Sequence, residues 1–598
     1  MTAIIVLDPA AIELARKLAA GLEGACIHGL AGRVQGAEVS FSETADHLRK
    51  LFQSGEAIVG ICAAAILIRA LSPVIADKNN EPAVIAVSGD GASVVPLLGG
   101  HAGANRMAAA IAKLTSGHAA VTTATDVAFG MALDDPPSGW RLANRAAAKG
   151  VAARLLAGAP VSLDAGCGNI KWLTESAANF VDRADGPGII VTEKSAPGGD
   201  DLVLHPPVLV LGVGCERGCG TDELIGLAMD TLAGAGLSPL AVAAVVSLDL
   251  KMDEDAVHGL AAHLDVPARF FDAARLEAET PRLAHPSDAV FAEVGCHGVA
   301  EAAALAAAGM LRVEKHKSKR ATCAVGFATG GIDPEAIGSA RGRLRIVGIG
   351  PGSDGWRAPA ASRDLALATD VVGYGLYLDL VGDLIAGKQR HSSQLAEEEA
   401  RVRMALDLAG AGRDVALVCS GDAGIYALAT LAFELLDRED RADWNRVLIS
   451  VTPGISAFQA AAARIGAPMG HDFCTISLSD LLTPWEEIER RLQAAADGDF
   501  VVAFYNPVSR RRKTQLARAR EILLTGRGPQ TPVVLARNLG RDGEKIDVIT
   551  LDELTPDHAD MLTMVVVGNG QTKVTRRGQR QWVYTPRGYA AKMETAKQ

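Results

Sequence analysis

Six apolar runs in the second half of this 598-residue chain stop at residues small or polar enough to receive a ligand. Arg345-Ile346-Val347 leads into Gly348-Ile349-Gly350-Pro351-Gly352, and Val415 to Val418 into Cys419-Ser420-Gly421-Asp422-Ala423-Gly424-Ile425-Tyr426. Val451-Thr452 passes through Pro453-Gly454-Ile455 to a helix start at Ser456-Ala457. Phe500 to Tyr505 ends in Asn506-Pro507, Val533 to Ala536 in Arg537-Asn538-Leu539, and Met564 to Val567 in Gly568-Asn569-Gly570. Open α/β sheets build ligand crevices at the carboxyl ends of their strands, which is where such residues belong. Asp422 is either a ligand-facing carboxylate or the cap of its own turn.

Glycines after a strand also let phosphates approach a helix N-terminus, so a nicotinamide-binding fold competes for Gly348 to Gly352. Two details disfavour it. Pro351, Gly352, Ser353, Asp354 and Gly355 prolong the loop where a helix should open, and no acidic residue follows the next strand, Asp370-Val371-Val372-Gly373-Tyr374, where a ribose partner would sit.

The elements that must position these loops begin at Leu344, where strand, glycine turn, amphipathic helix and second strand follow in order, as if a domain were starting over. What precedes should be a separate unit, and 598 residues exceed what one core supports. Thr2 to Leu7, Ala10 to Leu22, Ala57 to Ile61 and Ala63 to Leu71 have the rhythm of βαβ units. Asp90-Gly91 between two apolar runs reads as a hairpin turn. In Leu97-Leu98-Gly99-Gly100-His101-Ala102-Gly103-Ala104-Asn105, the glycines leave backbone open just where a helix starts, and His101 and Asn105 share a helix face. The plainer alternative is a tight strand-to-helix turn. Thr122, Thr123, Thr125 and Asp126 are as often caps as ligands.

Breaks fall at Asp134 to Gly139, at Ala196 to Asp201 and at His205-Pro206-Pro207. Val208 to Gly212 then runs into Gly212-Val213-Gly214-Cys215-Glu216-Arg217-Gly218, which has the look of a dinucleotide-type turn, a weak signal alone. Alternating elements from there to Thr322 predict a parallel, three-layer unit. Residues 328–343 lack apolar periodicity and read as an interdomain linker.

Composition narrows the class. Apolar residues make up 49% and charged residues 22%, ordinary for a folded chain, while aromatics are only 4%, which favours close-packed α/β layers. A net charge of −11 argues against general nucleic-acid affinity, so any anionic ligand must meet a local basic patch. The nine cysteines lack disulfide or zinc spacing, and Cys215 and Cys219 read as small buried thiols. The apolar run Ile58 to Ile68 is too short to span a bilayer, and MTAIIVLDPAA lacks the basic opening of a signal peptide, so a cytoplasmic protein without membrane partners is expected.

The Leu97 to His101 string with Asp90-Gly91, the Gly212-Val213-Gly214-Cys215 turn, Ser247-Leu248-Asp249-Leu250-Lys251 and Gly298-Val299-Ala300-Glu301-Ala302-Ala303-Ala304 together resemble the cobalamin-biosynthesis G protein. The resemblance covers about residues 1–327 in three blocks, 1–135, 136–205 and 206–327. It implies hydrolysis of the lactone of cobalt-precorrin-5A with loss of a two-carbon fragment as acetaldehyde, and makes His101 a candidate substrate contact. A non-catalytic tetrapyrrole-binding module is the alternative for this half.

From Leu344 to about Tyr589, Gly-x-Gly-Pro-Gly, Ser-Gly-Asp-Ala-Gly-Ile-Tyr, Pro-Gly-Ile-Ser-Ala, Tyr-Asn-Pro, Arg-Asn-Leu and Val-Val-Gly-Asn resemble the tetrapyrrole methyltransferase family. Gly373-Tyr374-Gly375-Leu376-Tyr377 and Phe504-Tyr505-Asn506-Pro507-Val508-Ser509 are similar to its precorrin-3B C(17)-methyltransferase branch. The resemblance implies two α/β lobes in residues 344–598, S-adenosyl-L-methionine folded between them, a tetrapyrrole substrate and a homodimer through this domain. Gly421, Asp422, Ala423 and Ile425 would hold the methionine part and ribose, with Ser456, Ala457, Asn506, Asn538 and Leu539 around the rest of the cofactor. Pro351 faces both cofactor and macrocycle, with Gly350 and Gly352 on the substrate side. Arg510, and after it Arg511, Arg512, Lys513, Arg537 and Arg541, are cations for the macrocycle's carboxylates, although a solvated helix face is the commoner reading for that run. Tyr374, Ser479 and Asp480 are candidates for the proton movement of ring contraction. No metal ligand set is indicated. The alternatives are the cobalt-factor III methyltransferase of the oxygen-independent route and, more distantly, an NAD(P)-dependent oxidoreductase.

Overall fold

The computed structural model describes residues 2–22, 24–76, 81–196, 199–382, 384–394, 397–509 and 511–589, apart from the His101 side chain. Two compact units emerge, one holding Met1–Leu344 with Leu406–Val415 and Glu439–Ile449, the other holding Arg345–Ala405, Ala416–Arg438 and Ser450–Gln598.

The first unit carries three sheets in sequence. The first contains Val39–Phe41, Ala25–Leu30, Thr2–Val6, Ala57–Ile61, Val84–Val87, Ser93–Leu98 and His118–Ala119, in that spatial order. Thr2–Val6 pairs in parallel with Ala25–Leu30 on one side and Ala57–Ile61 on the other. Strands buried on both faces read as apolar runs, as Ile4, Ile5, Val59 and Ile85 do, all with no exposed surface. Asp90-Gly91 closes the expected hairpin, for Val84–Val87 and Ser93–Leu98 are antiparallel. A smaller sheet runs Phe180–Val181, Val161–Ala165, Ile189–Val191, Leu202–His205, Arg141–Leu142.

The third sheet corrects two expectations. Its order is Ala268–Phe271, Val242–Leu248, Leu209–Cys215, Ala321–Phe327, Met310–Lys317, and only the first three strands are parallel. The last two form an antiparallel hairpin, so the sheet is mixed. Gly212 and Gly214 lie inside a strand that continues to Cys215, not in a ligand turn: a Cβ on Gly212 would stand 2.0 Å from the Ala300 carbonyl oxygen. The glycine is required by the close approach of helix Ala300–Ala308. Residues 337–339 of the expected linker are annealed to this sheet, since Ser339 and Phe270 exchange backbone bonds of 2.7 and 2.9 Å and Arg269 Nε donates to Ile337 O at 2.8 Å.

The second unit has two lobes. The first is built on the order Gln389–Ser393, Asp370–Tyr374, Asp414–Cys419, Arg343–Gly348, Leu448–Thr452. Within this lobe, buried Arg345 donates to Asp364 at 2.8 Å, and Thr452 donates to the other oxygen of that carboxylate. The second lobe runs Phe473–Ser477, Val501–Tyr505, Thr563–Val567, Pro532–Arg537, Lys545–Thr550. Thr563–Val567 is antiparallel to both of its neighbours, which decides what reaches the site. Among the described residues no helix is long and apolar enough to cross a membrane.

Candidate functional site

A cavity of about 210 Å³ lies in the second unit where the loops leaving both lobes meet. Its walls include Pro351 from the first glycine loop and Gly421, Asp422 and Ile425 from the second. Ala457, Asn506, Asn538 and Leu539 complete the set, so eight of the sequence-selected residues are brought together.

Local geometry explains each loop. Gly350 and Gly421, at φ 77° and 70°, pair through their backbones and join the first two loops. Helix Pro359–Leu367 starts only after the prolonged loop, as Pro351 to Gly355 demand. Asp422 caps its own turn by accepting the Gly424 N–H at 2.8 Å and also accepts the Gly454 N–H at 3.1 Å, fastening the third loop. Ser456 is spent on a capping box with Gln459 that starts helix Ala457–Ile465; it is buried and does not line the cavity. Ala423 is likewise buried, its carbonyl accepting the Ala429 N–H at 3.1 Å. Asn506 and Asn538 both take φ 51°, a left-handed conformation asparagine tolerates, and each reverses the chain at a strand end. Asn506 Nδ2 donates to Ser477 Oγ at 3.2 Å.

Several selected residues fall elsewhere. Tyr374 is not on the wall; it packs edge-on against Tyr377, centroids 5.2 Å apart, and Tyr377 lines the cavity instead. Ser479 and Asp480 lie on a loop outside it, with Asp480 accepting from Gln515 at 2.9 Å. Gly350 and Gly352 act through backbone packing, while Arg510 and the His101 side chain lie outside the described residues. Of the cations after Asn506, Arg512 is buried with Nε on the Asn506 carbonyl at 3.1 Å, and Arg518 pairs with Glu489 at 2.6 Å. Arg537 pairs with Asp560 at 2.7 Å.

The Val-Val-Gly-Asn end is also displaced. Because Thr563–Val567 runs antiparallel, its beginning, Met561 to Met564, faces the cavity, and Gly570 at its far end donates to Asp499 at 2.8 Å. Strand direction was the missing signal.

The wall contributes polar groups of its own. The Tyr505 hydroxyl is buried against Ser456 and the Phe458 backbone, and burial pushes its phenol up to about 12. A Cβ on Gly421 would meet nothing nearer than the Ser456–Ala457 backbone at 3.9 Å and would stand in open space at the wall. A bare glycine wall beside Asp422, Asn506 and Asn538 suits a ligand with polar groups and an apolar body.

The motifs of the first half are committed to structure. Gly99, at φ 72°, allows contact with the Pro82 carbonyl, where a Cβ would stand 2.3 Å from its oxygen. Asn105 donates to Thr123 at 2.7 Å and to Asp126 at 3.3 Å, so the three side chains bond to one another, and Thr123 does not cap its helix through its side chain. Burial pushes the Cys215 thiol up to about 11 and raises that of Cys219 as well. Among the described residues no group of three or more His, Cys, Asp or Glu could hold a metal ion. A second cavity, of about 630 Å³, opens beyond the carboxyl ends of Thr2–Val6, Ala57–Ile61 and Val84–Val87, where the strand order reverses.

Comparison with known proteins divides the chain in the same sense. Residues 46–126 match the model for the cobalamin synthesis G N-terminal region, 209–326 its C-terminus, and 343–555 the tetrapyrrole (corrin/porphyrin) methylases. The cobalamin biosynthesis protein CobIJ of Mycobacterium tuberculosis is 43% identical over 252 residues, 42% of this chain and 48% of that protein. This chain thus spans about half the length of that curated relative. Precorrin-3B C(17)-methyltransferase of a Sinorhizobium species is 44% identical over 250 residues, 42% of this chain and 98% of that enzyme. For the "Probable cobalt-factor III C(17)-methyltransferase" of Salmonella typhimurium the figures are 44% over 246 residues, 41% and 99%. With nearly the whole of two such relatives covered at this identity, the chain belongs to the tetrapyrrole methylase family and carries cobalamin synthesis G regions ahead of its methylase domain.

Proposed function

We propose that residues 344–598 form an S-adenosyl-L-methionine-dependent C-methyltransferase of cobalamin biosynthesis, which methylates precorrin-3B at carbon 17 with ring contraction to precorrin-4. The observation that supports this most is the gathering of eight motif residues from both lobes around one cavity. When bound, the cofactor supplies a methyl group on a sulfonium. Transfer to an enamine-type carbon disperses charge, so the chain's task is alignment and water exclusion. Gly421, Asp422 and Ile425 would hold one end of the cofactor and Ala457, Asn506, Asn538 and Leu539 the other, with Pro351 at the boundary to the macrocycle.

The cobalt-bearing substrate is the second reading, supported by the equal identity to the Salmonella relative. Residues 1–327 are read as a lactone-opening half in blocks 1–135, 136–205 and 206–327, with a tetrapyrrole-binding module as its alternative; the 630 Å³ crevice offers that half room for a ligand. Joining the halves raises the local concentration of a labile intermediate. A cytoplasmic homodimer that passes product to other corrin-pathway enzymes completes the proposal.

Calorimetric titration with S-adenosylhomocysteine and with NADP tests the cofactor class. Binding of the sulfur ligand alone is expected; tight NADP binding without it would replace the methyltransferase reading by an oxidoreductase. Acetaldehyde release from a lactone-bearing precorrin separates the two readings of the first half.

A further inference from the structure

The turn after strand Pro532–Arg537 sends one side chain back across the cavity. Asn538 at φ 51° and Gly540 at φ 69° reverse the chain, and Arg541 leaves the turn toward the first lobe. Its Nε donates to the Pro351 carbonyl at 2.9 Å and its Nη2 to Ser420 Oγ at 3.0 Å. The guanidinium carbon stands 5.9 Å from the centroid of the half-buried Tyr377 ring. Pro351, Ser420, Tyr377 and Arg541 all line the cavity. The first three belong to the first lobe and Arg541 to the second, so one cation ties both glycine loops of one lobe to the other lobe.

The fit is specific to this side chain. Gly352 sits at φ 153°, and a Cβ there would stand 2.6 Å from Arg541 Cγ, so the glycine is where the arginine stem passes. A Cβ on Gly540 would stand 3.0 Å from Ser353 N, which brings the two turns into contact. A guanidinium presents its donors in a fixed plane and reaches two acceptors at once while lying against a ring; an ammonium is a single point of charge.

We infer that Arg541 is a positioning residue that latches the second lobe to the Pro351 and Ser420 loops and thereby sets the width of the cofactor cavity. This rests on the methyltransferase reading of the site. With two donors committed to protein acceptors, its role is to hold cofactor-facing backbone in place. Loss of the latch lets the loops move apart before any ligand arrives, and the cofactor must then order them as it binds.

Arg541→Met, which keeps the stem beside Gly352, and Arg541→Lys test this in the full-length protein. Amide hydrogen exchange without cofactor should accelerate at 350–356 and 420–425 in Arg541→Met, while strands of the first unit exchange as before. The dissociation constant for S-adenosylhomocysteine should rise about 10- to 100-fold, with a smaller rise in Arg541→Lys. In turnover the rise should fall on KM for S-adenosylmethionine more than on kcat. Unchanged loop exchange, or faster exchange with unaltered S-adenosylhomocysteine affinity, would overturn the inference. So would a rise confined to KM for the tetrapyrrole, which would make Arg541 a substrate contact. If Arg541→Met does not fold, Arg541→Lys is measured alone, and wild-type exchange and affinity in it would overturn the latch. Failure of the unaltered protein to bind S-adenosylhomocysteine would instead remove the methyltransferase reading itself.

Discussion

Gly350 and Gly421 exchange two backbone hydrogen bonds, Gly350 N to Gly421 O at 3.1 Å and Gly421 N to Gly350 O at 2.8 Å, so the two glycine loops of the first lobe act as one clasp. The two glycines are not equivalent. A Cβ on Gly350 would stand 2.6 Å from the Trp356 carbonyl oxygen, whereas on Gly421 it would meet nothing closer than 3.9 Å. Gly350→Ala is therefore expected to destabilise the second unit by about 1–3 kcal/mol, read by calorimetric melting. Gly421→Ala should melt closer to the wild type yet lose more S-adenosylhomocysteine affinity. The opposite ranking in both measurements would contradict this reading of the clasp.

Asp422 accepts two backbone N–H groups, from Gly424 and Gly454, and lines the cavity between them. Asp422→Ala leaves both donors unanswered and is expected to cost about 1–3 kcal/mol in stability and to weaken S-adenosylhomocysteine binding. Asp422→Asn, which retains an acceptor oxygen, should recover part of both. Full cofactor affinity in Asp422→Ala would remove Asp422 from the site.

The Arg345–Asp364 pair is buried and sits at 2.8 Å within the first lobe. Asp364→Ala takes away a carboxylate to which both the buried Arg345 guanidinium and Thr452 donate. A loss of about 3 kcal/mol or more is expected, measured as the shift of the second unit's melting transition. An unshifted transition would show that the pair carries no net stability.

His28 contributes, with His47 and His205, to the pH dependence of the first unit. The ring is buried, 2.8 Å from His47, and burial, helped by that neighbour, depresses its pKa to about 4. The folded value lies below the ordinary 6.5, so the unfolded chain binds the extra proton between these two values. The His28 contribution is intact above about pH 6.5 and is lost as pH drops toward 4, by roughly 3 kcal/mol in full. His28→Gln should flatten the slope in urea titrations from pH 7 to 4, leaving the part carried by His47 and His205. An identical slope would show that other groups carry it.

Much of this was legible from residue order. Strands buried on both faces read as apolar runs, and Asp90-Gly91 announced its hairpin because the turn type demands such residues. The loops carrying Pro351, Gly421, Asp422, Asn506 and Asn538 were found because small and polar residues interrupt buried strands only at their ends. What escaped depends on direction and pairing, which composition does not encode. Val567 to Asn569 looked like one more carboxyl-end loop, but the antiparallel course of Thr563–Val567 brings its opposite end to the cavity. Tyr374 and Tyr377 lie within one turn of each other, and only the fold decides which ring faces the site. Gly99 and Gly212 resembled ligand glycines, yet each answers to a carbonyl oxygen packed against it.

The central claim is methyl transfer to a tetrapyrrole. Incubating the full-length protein with S-adenosylmethionine and precorrin-3B, and in parallel with its cobalt-bearing counterpart, and reading the product by mass spectrometry tests it most directly. Gain of one methyl group on one of the two substrates is expected, and which one gains it identifies the physiological form. No gain with either, by protein that binds S-adenosylhomocysteine, would contradict the account.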